Sequence, residues 1–139
     1  MFKHILVPID LSDQNERTLT TALDLAVSNR ARVTLLHVVH RVAKIPYREM
    51  RAFYQRLVTT SKRRLGRAAA PFIAQGLAVR SEVLIGEPAR EIVRLAAVRK
   101  VDLVVMGSHA VDPALHTRGW GTTSYKVGIF CGCPILLVK

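Results

Sequence analysis

Short β-branched runs alternate with amphipathic segments along this chain, and that alternation constrains the fold more than any other feature. Phe2 to Ile9, containing ILVPI, and Arg32 to Val39 (RVTLLHVV) read as strands. Between them, Asp13 and Glu16 fit a capping box. Leu19, Ala22, Leu23, Ala26 and Val27 fall on one helical face. A longer helix is predicted from Tyr47 to Gln75, with Met50, Phe53, Tyr54, Leu57, Leu65, Ala68 and Phe72 spaced for burial and Gly76 as its stop. Leu77 to Ile85 follows as a strand. Gly86-Glu87-Pro88 then opens a helix whose apolar face is Ala89, Ile92, Val93, Ala96 and Ala97, with proline where a missing N–H costs little.

Asp102 to Met106 is almost wholly apolar, which fits a parallel strand covered on both faces and places it centrally. A last helix from about Thr122 to Cys131 leads into a fifth strand, Pro134 to Val138. Strands joined through helices require right-handed crossovers, so the expected architecture is a three-layer α/β sandwich on a five-stranded parallel sheet. With 139 residues the chain suits one domain, 1–139.

In such a sheet, ligands collect beyond the carboxyl ends of the strands where the strand order reverses. Asp10 and Ser12 leave strand one, and Gly107 leaves strand four, so an order of 3-2-1-4-5 would bring them to one crevice. Spacing alone does not fix that order. Given it, Asp10 would meet a sugar hydroxyl or a metal, and the segments Gly107 to Ala110 and Gly121 to Ser124 would surround phosphates.

As an ensemble, HILVPIDLS, LLHVV, GEP, DLVVMGSHA, GTTSYKV and CPILLVK resemble the universal stress protein family over essentially the full length. The resemblance implies an adenine nucleotide alpha hydrolase-like fold of order 3-2-1-4-5 and, commonly, a homodimer. Its ATP-binding members carry GxxGx9G[ST]. Matched by position, the implied nucleotide site comprises Pro8, Asp10, Val38, Met106, Gly107, His109, Ala110, Gly121, Thr122 and Thr123. Ala110 stands where the motif has its second glycine, and ten residues, Val111 to Trp120, separate it from Gly121 where the family has nine. The implied ligand is ATP or AMP, with Mg²⁺ or Mn²⁺ on the phosphates, in a regulatory stress-response dimer; the alternative is a family member that binds no nucleotide and acts through protein–protein contacts. The implied dimer contact is the C-terminal strand, Pro134 to Lys139.

Other residues carry weaker signals. His109, His116, Arg118, Trp120 and Lys126 could approach an anion or wall the pocket, but each also reads as an ordinary loop, surface or core residue. Cys131 and Cys133 are too close to staple a fold and read as small apolar residues leading into the last strand. His37 and His40 read as satisfied or solvent-facing. The formal charge is +11, and the excess is concentrated between Arg41 and Arg67, where Glu49 is the single acid. A solvated helix face accounts for it; an anionic partner, nucleic acid included, on helix 48–67 is the lesser reading.

Catalytic signatures such as GxSxG and GxxxxGK[ST] do not occur, so a binding module is expected over an enzyme, with slow ATP hydrolysis as the most it would do. With no apolar run of membrane-spanning length and no signal peptide, a soluble cytoplasmic protein is expected.

Overall fold

A computed structural model of the chain describes residues 1–42, 44–108 and 122–139. Five strands alternate with helices: β1 (His4–Pro8), a 3-10 turn (Asp13–Asn15), α1 (Glu16–Asn29), β2 (Arg32–His40) and α2 (Tyr47–Ala74). They are followed by β3 (Val79–Gly86), α3 (Pro88–Val98), β4 (Leu103–Gly107), α4 (Thr123–Phe130) and β5 (Ile135–Val138). The strands form one parallel sheet in the order β3-β2-β1-β4-β5, as expected. The middle position belongs to β1, all five of whose residues are buried; β4 lies beside it in the interior and is not itself the centre.

The sheet's two faces make two cores because side chains alternate along each strand. On one face Ile5, Val7, Val33 and Leu35 pack with Ala22 and Ala26 of α1 and Leu65 and Phe72 of α2. On the other, Leu6, Leu36, Val104 and Met106 meet Ala89, Ile92 and Ala96 of α3 and Val127 of α4. In parallel pairing Ile5 lies beside Val33 and Val7 beside Leu35, so each face stays uniformly apolar.

Several helix details differ from the sequence reading. The first turn is capped by Ser12, whose hydroxyl accepts from the Gln14 N–H at 3.3 Å, and α1 starts only at Glu16. The predicted Asp13 cap with Glu16 is therefore displaced by a short 3-10 turn. Val27 is exposed on α1, and on α3 Leu95 is buried where Ala97 had been expected. On α2, Tyr54, Ser61, Leu65, Ala69 and Phe72 are buried, whereas Phe53 and Leu57 are 43% and 37% exposed. Phe53 and Leu57 are rotated around the helix away from Tyr54, Leu65 and Phe72, so the face that meets the sheet leaves them in solvent.

Candidate functional site

The carboxyl ends of β1 and β4 diverge around a cavity of about 490 Å³. Its floor is sheet: Pro8 and Ile9 from β1 and its continuation, Leu36, His37 and Val38 from β2, and Met106 and Gly107 from β4. Pro88 and Ile92 of α3 close one side with apolar surface. The opposite rim is polar, with Asp10, Ser12, Gln14 and Asn15 from the loop after β1, Arg17 and Thr18 from α1, and Thr123 and Ser124 from the first turn of α4. Ser108, Val138 and Lys139 complete it.

The loop after β1 is held in one shape. Asp10 Oδ1 accepts from the Ser12 N–H at 2.9 Å and from the Asn15 side-chain amide at 2.7 Å. Between them Leu11 adopts φ +63°, a left-handed conformation that costs a non-glycine residue about 1–2 kcal/mol. Its carbonyl accepts from Nη2 of Arg64 on α2 at 2.6 Å, so a neighbouring helix stabilises the turn. Burial works to raise the Asp10 carboxyl's pKa, but the hydrogen bonds from Ser12 and Asn15 outweigh it and hold the pKa below the usual value. Asp10 is thus an ionised acceptor at neutral pH. Behind it, Nδ1 of His37 donates to the Ile9 carbonyl at 2.9 Å, which anchors the ring at the cavity floor.

Across the cavity, Gly107 ends β4 without a positive φ. Its smallness serves space: a Cβ there would stand 3.2 Å from Thr18 Oγ1. Thr122 is the N-cap of α4, its hydroxyl accepting from the Tyr125 N–H at 3.4 Å. Thr123 and Ser124 line the cavity while Thr122 does not. The N–H groups of Thr123 and Ser124 at the start of this helix and their two hydroxyls suit an anion. Lys139 Nζ approaches Ser108 Oγ at 3.3 Å and brings a cation to the same rim.

The cavity thus gathers Pro8, Asp10, Val38, Met106, Gly107 and Thr123 of the residues expected from sequence. His109, Ala110 and Gly121 lie outside the described residues, as do His116, Arg118, Trp120 and the longer stretch 111–120. Arg17, Thr18, Ile92 and Lys139 also line the cavity, where the sequence reading does not place them. The αβα alternation offered one signal for the first two, since the start of a helix that follows a strand returns toward the carboxyl end of the sheet. Cys131 and Cys133 lie apart from this lining, packed beside the second core with Sγ atoms 3.5 Å apart. Burial pushes the Cys133 thiol up to about 12, which fits an inert, structural pair.

A family model described as the universal stress protein family matches residues 1–139. A universal stress protein of Thermus aquaticus is 32% identical over 141 residues, and YxiE of Bacillus subtilis is 28% identical over 149; both alignments cover each chain completely. Among solved structures, UspA from Lactobacillus plantarum superposes with a TM-score of 0.81 at 23% identity, covering 99% of this chain and 98% of that one. A universal stress protein in complex with cAMP gives 0.73 at 20% identity, with 99% and 97% covered. One from Archaeoglobus fulgidus in complex with dAMP gives 0.68 at 19% identity, with 99% and 98% covered. At these identities the structural likeness establishes the fold.

Proposed function

Because the chain belongs to the universal stress protein family, we propose that its cavity binds an adenine nucleotide, ATP or AMP, and that occupancy biases a homodimer or partner contact. The observation that carries this reading is the division of one cavity into an apolar floor and a hydroxyl-, amide- and cation-bearing rim around Asp10. Val38, Met106, Pro88 and Ile92 take the base. Both hydrogen bonds from Ser12 and Asn15 fall on Oδ1 of Asp10, so Oδ2 accepts from a ribose hydroxyl. Thr123 and Ser124, with the first N–H groups of α4, hold phosphate beside Gly107, and Lys139 and Arg17 balance its charge. Thr122 contributes by capping that helix; His109, Ala110 and Gly121 complete the phosphate loop in this proposal.

A divalent cation would be held mainly by the phosphates. Among the described residues no group of three His, Cys, Asp or Glu side chains converges, and Asp10 is the one carboxylate in the cavity lining. One carboxylate with substrate phosphates is a normal Mg²⁺ environment. The dimer contact is proposed for β5, an edge strand on which Leu136 and Leu137 are each 38% exposed. Pairing would remove a free hydrogen-bonding edge.

Native mass spectrometry of the protein purified without added nucleotide, followed by ATP titration with and without Mg²⁺, tests both parts. Expected are a dimer mass and saturable adenine nucleotide binding. Failure to bind ATP or AMP saturably up to millimolar concentration would overturn the nucleotide reading.

A further inference from the structure

We propose that the outer strip of α2 is a docking surface for a membrane whose exposed leaflet carries anionic phospholipid headgroups. Phe53, Arg56, Leu57, Arg63 and Arg67 are linked by helical spacings of three, four and seven (53 to 56 and 57, 56 to 63, 63 to 67), so they share one side of the cylinder. Tyr54, Leu65 and Phe72 point the other way, into the core. All five strip residues are exposed. Two properties coincide on this strip: cations without carboxylate partners and large apolar side chains open to water.

The charge is uncompensated. Among the described residues the ion pairs are Arg80 and Arg99 with Glu82 and Arg94 with Glu91, so none uses an arginine of the strip. The single acid of α2, Glu49, lies in its first turn, before the strip begins. The run from Arg56 to Arg67 extends for roughly 16 Å along the axis. Just before the helix, Arg41 and Lys44 alternate with Val42 and Ile45, all exposed, and extend the same composition.

These features select among anionic partners. A second copy presenting this strip would set arginine against arginine. Nucleic acid would use the cations but gain little from Leu57, and a single exposed phenyl ring, Phe53, offers no row of stacking platforms. An anionic bilayer uses both parts, since arginines meet headgroup phosphates while Phe53 and Leu57 enter the boundary with the acyl chains. Such binding is peripheral; among the described residues no helix is long and apolar enough to cross a membrane.

Cosedimentation of the full chain with phosphatidylcholine vesicles, with and without phosphatidylglycerol, tests the proposal. Binding is expected only to the anionic vesicles and should fall as salt rises. The triple variant Arg56→Gln, Arg63→Gln, Arg67→Gln should lower partitioning about a hundredfold, and Phe53→Ser with Leu57→Ser about tenfold. Phe53→Trp leaves the helix pattern intact and should strengthen binding, so the apolar contribution is tested even if the serine variant folds poorly. Three results would overturn the proposal: no preference for anionic vesicles, indifference to every change at Phe53 and Leu57, or tighter binding to single-stranded RNA than to vesicles at equal salt.

Discussion

The two ends of the sheet use the same chemistry for opposite purposes. Each has an aspartate that accepts at least one backbone N–H and a histidine that ties strands together. At the amino end, Asp102 Oδ2 accepts from the Lys3 N–H at 2.8 Å and Oδ1 from the His4 N–H at 3.0 Å, so both oxygens are engaged in joining β1 to the start of β4. His4 is buried, its Nδ1 donating to the Arg99 carbonyl at 3.3 Å and its Nε2 accepting from the Thr34 hydroxyl at 2.8 Å. At the carboxyl end, Asp10 is exposed, it directs both bonds to one oxygen, and His37 faces a cavity. Saturation of hydrogen-bonding capacity separates a structural lock from a surface with capacity left for a ligand.

The largest effect that would sharpen this contrast is on His4. His4→Ala should cost about 3 kcal/mol of unfolding free energy, because it opens a buried space and leaves the Thr34 hydroxyl without its partner. Urea denaturation measures this, and the nucleotide dissociation constant should stay within about twofold. Coupled loss of binding would break the distinction between the ends. The complementary change, Asp10→Asn, keeps an acceptor for the Ser12 N–H but loses the charge. It should weaken nucleotide binding about tenfold, or about 1.4 kcal/mol, while calorimetric stability changes by less than about 1 kcal/mol. A variant that melts far earlier with unchanged affinity would move Asp10 into the structural class.

The smallest effect is a pH dependence. Burial is the main cause that lowers the His4 pKa from its ordinary 6.5, against the Arg99 carbonyl bond that raises it. A depressed histidine pKa means that the unfolded chain binds the proton more readily, so stability is complete above about pH 6.5 and falls as pH drops toward the folded value. Denaturation midpoints should therefore decline from about pH 7 to about pH 5, and His4→Gln should flatten that interval. Asp10 and Asp102, both depressed below the ordinary 3.8, act only at lower pH, where their stabilisation is lost as they protonate. An unchanged decline in His4→Gln would assign it elsewhere.

The strands were legible in sequence because a run such as LVVM has one plausible environment, a parallel strand covered on both sides. Their order was not carried by spacing and came with the family resemblance. Helix faces were read less well, and the misplacements at Phe53, Leu57, Val27 and Ala97 share a cause. Apolar spacing marks a broad stripe on a helix, but the rotation of the helix against the sheet decides which residues at the margins of that stripe are covered. Asp10, Val38, Met106 and Gly107 could be read at the cavity because strand ends are sharply marked. Arg17 and Thr18 were signalled only by the αβα alternation, and Ile92 and Lys139 not at all, because how α3 and the end of β5 sit against the crevice is a tertiary fact with no local signature.

The central place of β1 also bears on how the chain is made. Its pairing with β2 is available early, but the strand that covers its other edge begins only at Leu103. At ribosomal speeds, roughly a hundred residues of synthesis take about 5–20 s. For much of that interval the wholly buried strand β1 is paired on one side only, and the edge that β4 later covers stays open in the nascent chain.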